Sequence, residues 1–138
     1  MNRPLSEIMT PEPACVRSAD PLRTAIETMR TRNCRRLPVV DDGKLVGIIS
    51  DRDVRLALNS PFVLRARHED DDLLDRVLVA ECMTPDPVIL PPGAPVVEAA
   101  RLMHDRKFGG IPIVDGERLV GIVTITDILS WLIEILEN

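Results

Sequence analysis

The chain has 138 residues, 45% apolar and 28% charged, a balance that fits one compact unit or two small ones and excludes an intrinsically disordered chain. Its 17 basic and 22 acidic residues leave a net charge of −5, which argues against a general polyanion binder. An aromatic share of 2% (Phe62, Phe108 and Trp131, with no tyrosine) removes the stacking platforms typical of single-strand nucleic-acid binders and assigns the core to Val, Ile, Leu and Met.

In chain order, a helical turn at 5–9 leads into Met9-Thr10-Pro11 and a brief extended piece at 14–17. A helix begins near Pro21, where proline suits the first turn, and Leu22, Ala25, Ile26 and Met29 recur at three- and four-residue spacing. Residues 37–40, a turn at Asp41-Asp42-Gly43-Lys44, and residues 45–49 read as a β-hairpin, with a further helix after Ser50. The stretch 59–78 holds Pro61, the acidic run Glu69-Asp70-Asp71-Asp72 and a helix-like segment at 73–78. The acidic run reads as a solvated helix start, since carboxylates favour the positive end of the helix dipole.

From residue 79 the order starts again. A helical turn at 79–83 is followed by Thr84-Pro85, an extended piece at 88–90, and a helix from Pro95 carrying Ala99 and Met103. A hairpin of 111–114 and 119–123 turns at Asp115-Gly116-Glu117-Arg118, and a last helix begins after Thr124. On that helix Trp131 joins Ile128, Leu132, Ile135 and Leu136 in a stripe too apolar for a free surface helix, so it is core or a dimer face. The apolar stretch 128–136 is too short to span a bilayer.

Adding 74 to a position in the first half lands on its counterpart without a gap. Met9-Thr10-Pro11 falls on Met83-Thr84-Pro85, and Pro21, Ala25 and Met29 fall on Pro95, Ala99 and Met103. Leu37-Pro38-Val39-Val40-Asp41 falls on Ile111-Pro112-Ile113-Val114-Asp115, and Leu45-Val46-Gly47-Ile48 on Leu119-Val120-Gly121-Ile122. The expected organisation is a first repeat at 1–60, a linker with an acidic helical segment at 61–78, and a second repeat at 79–138. Each repeat has the order β-α-β-β-α. About 50 residues make a marginal core, so the apolar faces of the two copies are expected to close on one another.

Two duplicated motifs carry the chemistry. Ser50-x-x-Asp53 and Thr124-x-x-Asp127 have the form of a capping box, in which the hydroxyl accepts a first-turn N–H and the carboxylate complements the helix dipole. The same residues suit a nucleoside. A carboxylate near a helix N-terminus can accept both hydroxyls of a ribose diol, and the first-turn N–H groups with the Ser or Thr hydroxyl can meet a phosphate. Backbone groups beside Pro38 and Pro112 are available to an adenine edge. The two copies differ in charge: Arg35, Arg36, Arg52 and Arg55 stand where the second has Gly109, Gly110, Thr126 and Leu129. A solvated basic face is the alternative reading of these arginines.

The paired pattern Met-Thr-Pro, then Leu/Ile-Pro-Val/Ile-Val-Asp, then Leu-Val-Gly-Ile-Ile/Val-Ser/Thr-x-x-Asp resembles tandem cystathionine-β-synthase (CBS) domains, from about Leu5 to Trp131. The resemblance implies an α+β (mixed α/β) fold in which two β-α-β-β-α repeats pack through their sheets with pseudo-two-fold symmetry, a Bateman module. It implies a regulatory sensor, with clefts at the sheet junction binding AMP, ADP, ATP, S-adenosylmethionine or, less often, NAD. The expected ligand-binding residues are Arg36, Leu37, Pro38, Ser50, Arg52, Asp53, Gly110, Ile111, Pro112, Thr124, Thr126 and Asp127. A homodimer, an unidentified protein partner and no required cofactor complete that expectation.

No nucleophile–base pair, metal cluster or Walker loop is present in the sequence, so catalysis is not expected. Cys15, Cys34 and Cys82 are odd in number, far apart and without a CxxC, which reads as thiols in a reducing compartment, and His68 and His104 lack ligand spacing. The stretch MNRPLSEIMTPEPAC has no apolar signal core, giving the expectation of a soluble cytoplasmic protein without a membrane partner. The competing function is a protein- or nucleic-acid-interaction module built on RTRNCRR at 30–36 with no nucleotide bound, and the acidic balance weighs against its nucleic-acid form.

Overall fold

The structure is a computed structural model describing residues 3–58 and 67–138. Asn59, Pro61, Phe62 and the side chains of His68, Glu69, Asp70 and Asp71 lie outside the described residues. The elements in order are a 3-10 turn (Leu5–Glu7), β1 (Thr10–Pro11), α1 (Leu22–Arg32), β2 (Arg36–Asp41), β3 (Lys44–Ser50), α2 (Asp51–Leu58), α3 (Arg67–Arg76), α4 (Val79–Cys82), β4 (Thr84–Pro85), α5 (Val96–Arg106), β5 (Gly110–Asp115), β6 (Arg118–Thr124) and α6 (Ile125–Glu137). This is the mixed α+β class expected from the sequence, with two three-stranded sheets. Among the described residues no helix is long and apolar enough to cross a membrane.

The helices and hairpins follow from local sequence. Pro21 and Pro95 sit one place earlier than expected, as extended N-cap residues, and helix begins at Leu22 and Val96. The buried face of α1 is Leu22, Ala25 and Met29, and that of α5 is Val96, Ala99 and Met103. Each helix stops at a residue in the left-handed region, Asn33 (φ 50°) and Lys107 (φ 61°). Hairpin β2–β3 turns through Asp42 (φ 48°) and Gly43 (φ 80°), the paired positive φ of a type I′ turn.

The expected strands at 14–17 and 88–90 each narrow to a single parallel bridge, Val16 to Val39 and Leu90 to Ile113. The backbone beyond each bridge is committed elsewhere. Arg17 N–H donates to Asp20 Oδ2 (2.8 Å) and Ser18 N–H to Asp41 Oδ1 (3.0 Å), while Pro91 and Pro92 have no N–H to offer.

The chain forms two compact units that do not follow the sequence repeats. One is Met1–Pro13 with Pro87–Asn138, and the other is Ala14–Asp86. The third strand of each sheet is the Thr-Pro segment of the opposite repeat. β1 pairs antiparallel with β6 (Thr10 opposite Ile122, Pro11 opposite Gly121), and β4 pairs with β3 (Thr84 opposite Ile48, Pro85 opposite Gly47).

The cores are completed by the same exchange. In the first unit Leu5 is fully buried with Leu90, Val96, Ala99, Ile111, Ile113 and Val123. In the second, Val79 is fully buried with Val16, Leu22, Ala25, Leu37, Val39, Ile49 and Val54. Burying a leucine or valine side chain contributes about 1.5–3 kcal/mol, a large share of what so small a core supplies. Each core is closed by a segment of the other copy, an exchange that the sequence reading did not expect.

Two glycines make room for the exchange. A Cβ on Gly121 would collide with the Met9 sulfur and come within 3.0 Å of the Thr10 carbonyl oxygen. A Cβ on Gly47 would stand in the same relation to Met83 and Thr84. The glycine in each Val-Gly-Ile run is where the borrowed segment crosses the sheet.

Candidate functional site

In the second unit, β3 ends at Ser50 and α2 begins at Asp51, at the edge where β2 starts. The register places Arg36 opposite Ser50, Leu37 opposite Ile49 and Pro38 opposite Ile48. Ser50 N–H donates to Asp53 Oδ2 (2.9 Å) and Asp53 N–H donates to Ser50 Oγ (3.2 Å), a reciprocal cap. Asp51 N–H donates to the Arg35 carbonyl (2.9 Å), which binds the first turn of α2 to the start of β2. Thr84 lies on the opposite side of β3, paired with Ile48, two residues before Ser50.

The first unit repeats this arrangement. Thr124 N–H donates to Asp127 Oδ2 (2.9 Å), Asp127 N–H donates to Thr124 Oγ1 (3.3 Å), and the Thr124 hydroxyl also donates to Asp127 Oδ2 (3.2 Å). Gly110 faces Thr124 in register, and the Gly109 carbonyl accepts from Ile125 N–H (3.3 Å). Thr10, brought in on β1, directs its hydroxyl to both oxygens of Asp127 at 3.4 and 3.5 Å. These are long contacts, so the carboxylate keeps capacity for a stronger donor.

The twelve expected site residues fall into two groups. Ser50, Asp53, Thr124, Asp127, Arg36 and Gly110 gather at the two strand-to-helix junctions and are half-buried, while Arg52 and Thr126 are exposed in the first helical turns. Leu37, Pro38, Ile111 and Pro112 are buried, and the Pro38 and Pro112 carbonyls accept N–H bonds from Val16 (3.1 Å) and Leu90 (3.2 Å). Those carbonyls are therefore partly committed, and the side chains of the four serve packing.

Thr10 is the residue sequence reasoning missed as a site member. Its signal was available in the duplication of Met-Thr-Pro, but the strand exchange that carries it to Asp127 was not.

The cysteines remain thiols. Burial pushes the Cys82 thiol up, reinforced by the negative charges of Glu81 and Asp53. Burial also raises Cys15 and Cys34, the latter against a backbone bond to Arg36 and the charge of Arg32. All three are thus poor nucleophiles at neutral pH.

The duplicated organisation of the chain agrees with the comparisons to known proteins. The CBS domain pattern matches residues 5–60 and again 79–134. The chain belongs to the CBS domain family. A CBS domain-containing protein of Dictyostelium discoideum is 43% identical over 118 residues, covering 84% of this chain and 81% of that protein. Other relatives are longer: the chain spans 38% of an uncharacterized 33.4 kDa protein of Thermofilum pendens, at 38% identity. It also spans 20% of an inosine-5′-monophosphate dehydrogenase of Thermoplasma acidophilum, at 32% identity.

Among solved structures, the CBS domain pair of protein MJ0100 in complex with 5′-methylthioadenosine and S-adenosyl-L-methionine is 28% identical. It has a TM-score of 0.82, covering 97% of this chain and 98% of that one. CBSX2 of Arabidopsis thaliana in complex with AMP is 29% identical with a TM-score of 0.80, covering 96% and 97%.

Proposed function

We propose that this CBS pair is a regulatory sensor of adenosine compounds, with one binding site at each strand-to-helix junction. The observation that carries the reading is the pair of capping carboxylates, Asp53 and Asp127, each held at a helix N-terminus by its own Ser or Thr. A carboxylate so oriented accepts the two hydroxyls of a ribose through charge-assisted bonds, and the adjoining first-turn N–H groups and hydroxyl meet what extends from the 5′ carbon. Thr10 adds a hydroxyl on the far side of Asp127. Relatives of the same fold held AMP in one case and two 5′-thio-adenosine compounds in another, which supports this ligand class here.

The regulated output is a second copy or another protein. Regulation requires that the ligand bind one arrangement of the module more tightly than another. Helix α6 offers the surface: Ile125, Leu129, Leu132, Ile133 and Leu136 are exposed, while Ile128 and Trp131 pack on the core from the other side. The spacing 125, 129, 132, 136 alternates four and three residues, the seam on which two helices pack together. The reading is a homodimer through α6, in a reducing compartment where the cysteines stay thiols.

A thermal-shift panel of AMP, ADP, ATP, S-adenosylmethionine and NAD tests the ligand class, because a ligand that binds the native state raises its stability. A rise with at least one adenosine compound, absent with a non-adenine nucleotide, is the expected result. A flat panel would favour the interaction module without nucleotide.

A further inference from the structure

We infer that Met9 and Met83 are a matched pair of oxidation sites: a peroxide converts each thioether to a sulfoxide, and that change loosens the strand each sequence repeat contributes to the sheet of the other.

The strands concerned are thin. β1 and β4 have two residues each, and their ladders consist of Thr10 opposite Ile122 with Pro11 opposite Gly121, and Thr84 opposite Ile48 with Pro85 opposite Gly47. Proline offers no N–H, so side-chain packing has to hold what so short a ladder cannot. The methionine before each strand supplies that packing. Met9 seats its sulfur and Cγ over Gly121, and Met83 does so over Gly47, each with the carbonyl oxygen of the following threonine alongside. Met9 also packs on the core cluster of Leu5, Ile113 and Val123, and Met83 on that of Val79, Val39 and Ile49.

These two thioethers are also the more accessible ones. Of the four methionines among the described residues, Met29 and Met103 lie in the buried helix faces and are each 8% exposed, whereas Met9 and Met83 are half-buried. A thioether needs access to the oxidant but no ionisation. Cys82, next to Met83, is held as a thiol by burial and by the charges of Glu81 and Asp53, which slows its competition for the oxidant.

In the reaction a sulfur lone pair attacks one oxygen of hydrogen peroxide. The S–O bond forms as the O–O bond breaks, sulfur gives up two electrons, and the second oxygen leaves as water with both peroxide protons. A sulfoxide oxygen on the glycine side enters the space that an alanine methyl would, and the polar S=O weakens packing on the apolar clusters. Met9 precedes Thr10, so release of β1 also draws the Thr10 hydroxyl away from Asp127. The oxidation chemistry is independent of what the candidate site binds.

The test treats the folded wild-type chain with hydrogen peroxide at neutral pH, then with dithiothreitol to return reversibly oxidised cysteines to thiols, and reads its peptides by mass spectrometry. Met9 and Met83 should each gain one oxygen about tenfold faster than Met29 and Met103. The oxidised protein should then unfold at a lower urea midpoint. Met9→Leu with Met83→Leu keeps the apolar volume and should hold its midpoint through the same treatment. Met29→Leu with Met103→Leu keeps both proposed targets and should lose as much as wild type.

Equal oxidation of all four methionines overturns the inference, as does an unchanged midpoint once Met9 and Met83 are sulfoxides. A Met9→Leu, Met83→Leu protein that loses as much as wild type also overturns it. Where that variant does not fold, the Met29→Leu, Met103→Leu protein decides: a midpoint that resists peroxide there overturns the inference, and a full loss upholds it.

Discussion

Met9 lies against the bare Cα of Gly121, and 74 residues on Met83 lies against Gly47 in the same way. Each thioether comes from one sequence repeat and each glycine from the other. A methyl group on either glycine must displace the sulfur or the Thr-Pro backbone behind it. Gly121→Ala and Gly47→Ala should each cost about 1–3 kcal/mol in urea denaturation, the usual cost of overpacking. Gly93→Ala is the control, because a Cβ there meets nothing within 4 Å. Equal stability of all three variants would show that the exchanged segments are not held as described.

The caps carry a separable stability effect. Thr124→Ala removes the acceptor of the Asp127 N–H and should cost about 1 kcal/mol, as should Ser50→Ala. Thr10→Val is different, because its hydroxyl contacts Asp127 only at 3.4–3.5 Å from an exposed position. It should leave stability within about 0.5 kcal/mol of wild type. Its effect should appear in ligand titrations, as weaker binding at the Asp127 site alone.

Acid sensitivity has an identifiable source at Asp41. The Ser18 hydroxyl and then the Ser18 N–H donate to its carboxylate and hold its pKa below the ordinary 3.8. A carboxyl depressed in the folded state stabilises it fully above the unfolded value, and that contribution is lost as pH falls through the folded value. Ser18→Ala should therefore lower the urea midpoint at pH 7, and the gap to wild type should close as the pH is taken below 3.8. A gap that persists unchanged into acid would assign the effect to something other than Asp41.

The outward face of α6 makes the assembly testable. Leu129→Glu with Leu136→Glu places charges on two exposed positions that make no core contact. Sedimentation should show a wild-type dimer and a monomeric variant with unchanged helix content. A monomeric wild-type protein at tens of micromolar would remove α6 as the contact.

Much of this was legible in the sequence, for reasons that particular residues show. The 74-residue register, the helix faces of Met29 and Met103, and the hairpin turn at Asp42-Gly43 are local patterns with local causes, and the structure reproduces them. The caps at Ser50 and Thr124 were equally legible, because a hydroxyl followed three places on by a carboxylate needs only its own helix turn. What escaped was non-local. Nothing in Leu5 or Val79 says which core it enters, and the two bridges at Val16 and Leu90 are short because of Asp20, Asp41 and a Pro-Pro pair, whose roles appear only in three dimensions. Thr10 joined the site by the same exchange, which no periodicity encodes.

The central claim, that Asp53 and Asp127 hold the ribose of an adenosine ligand, is tested most directly by thermal unfolding of the wild type and of the Asp53→Ala, Asp127→Ala double variant. AMP, ATP and S-adenosylmethionine would each be added at about a hundredfold excess over their wild-type Kd. Wild type should rise by on the order of 5–10 °C with at least one of them. The double variant should start lower, through its lost caps, and show no rise. A double variant that keeps the full wild-type rise would contradict the account.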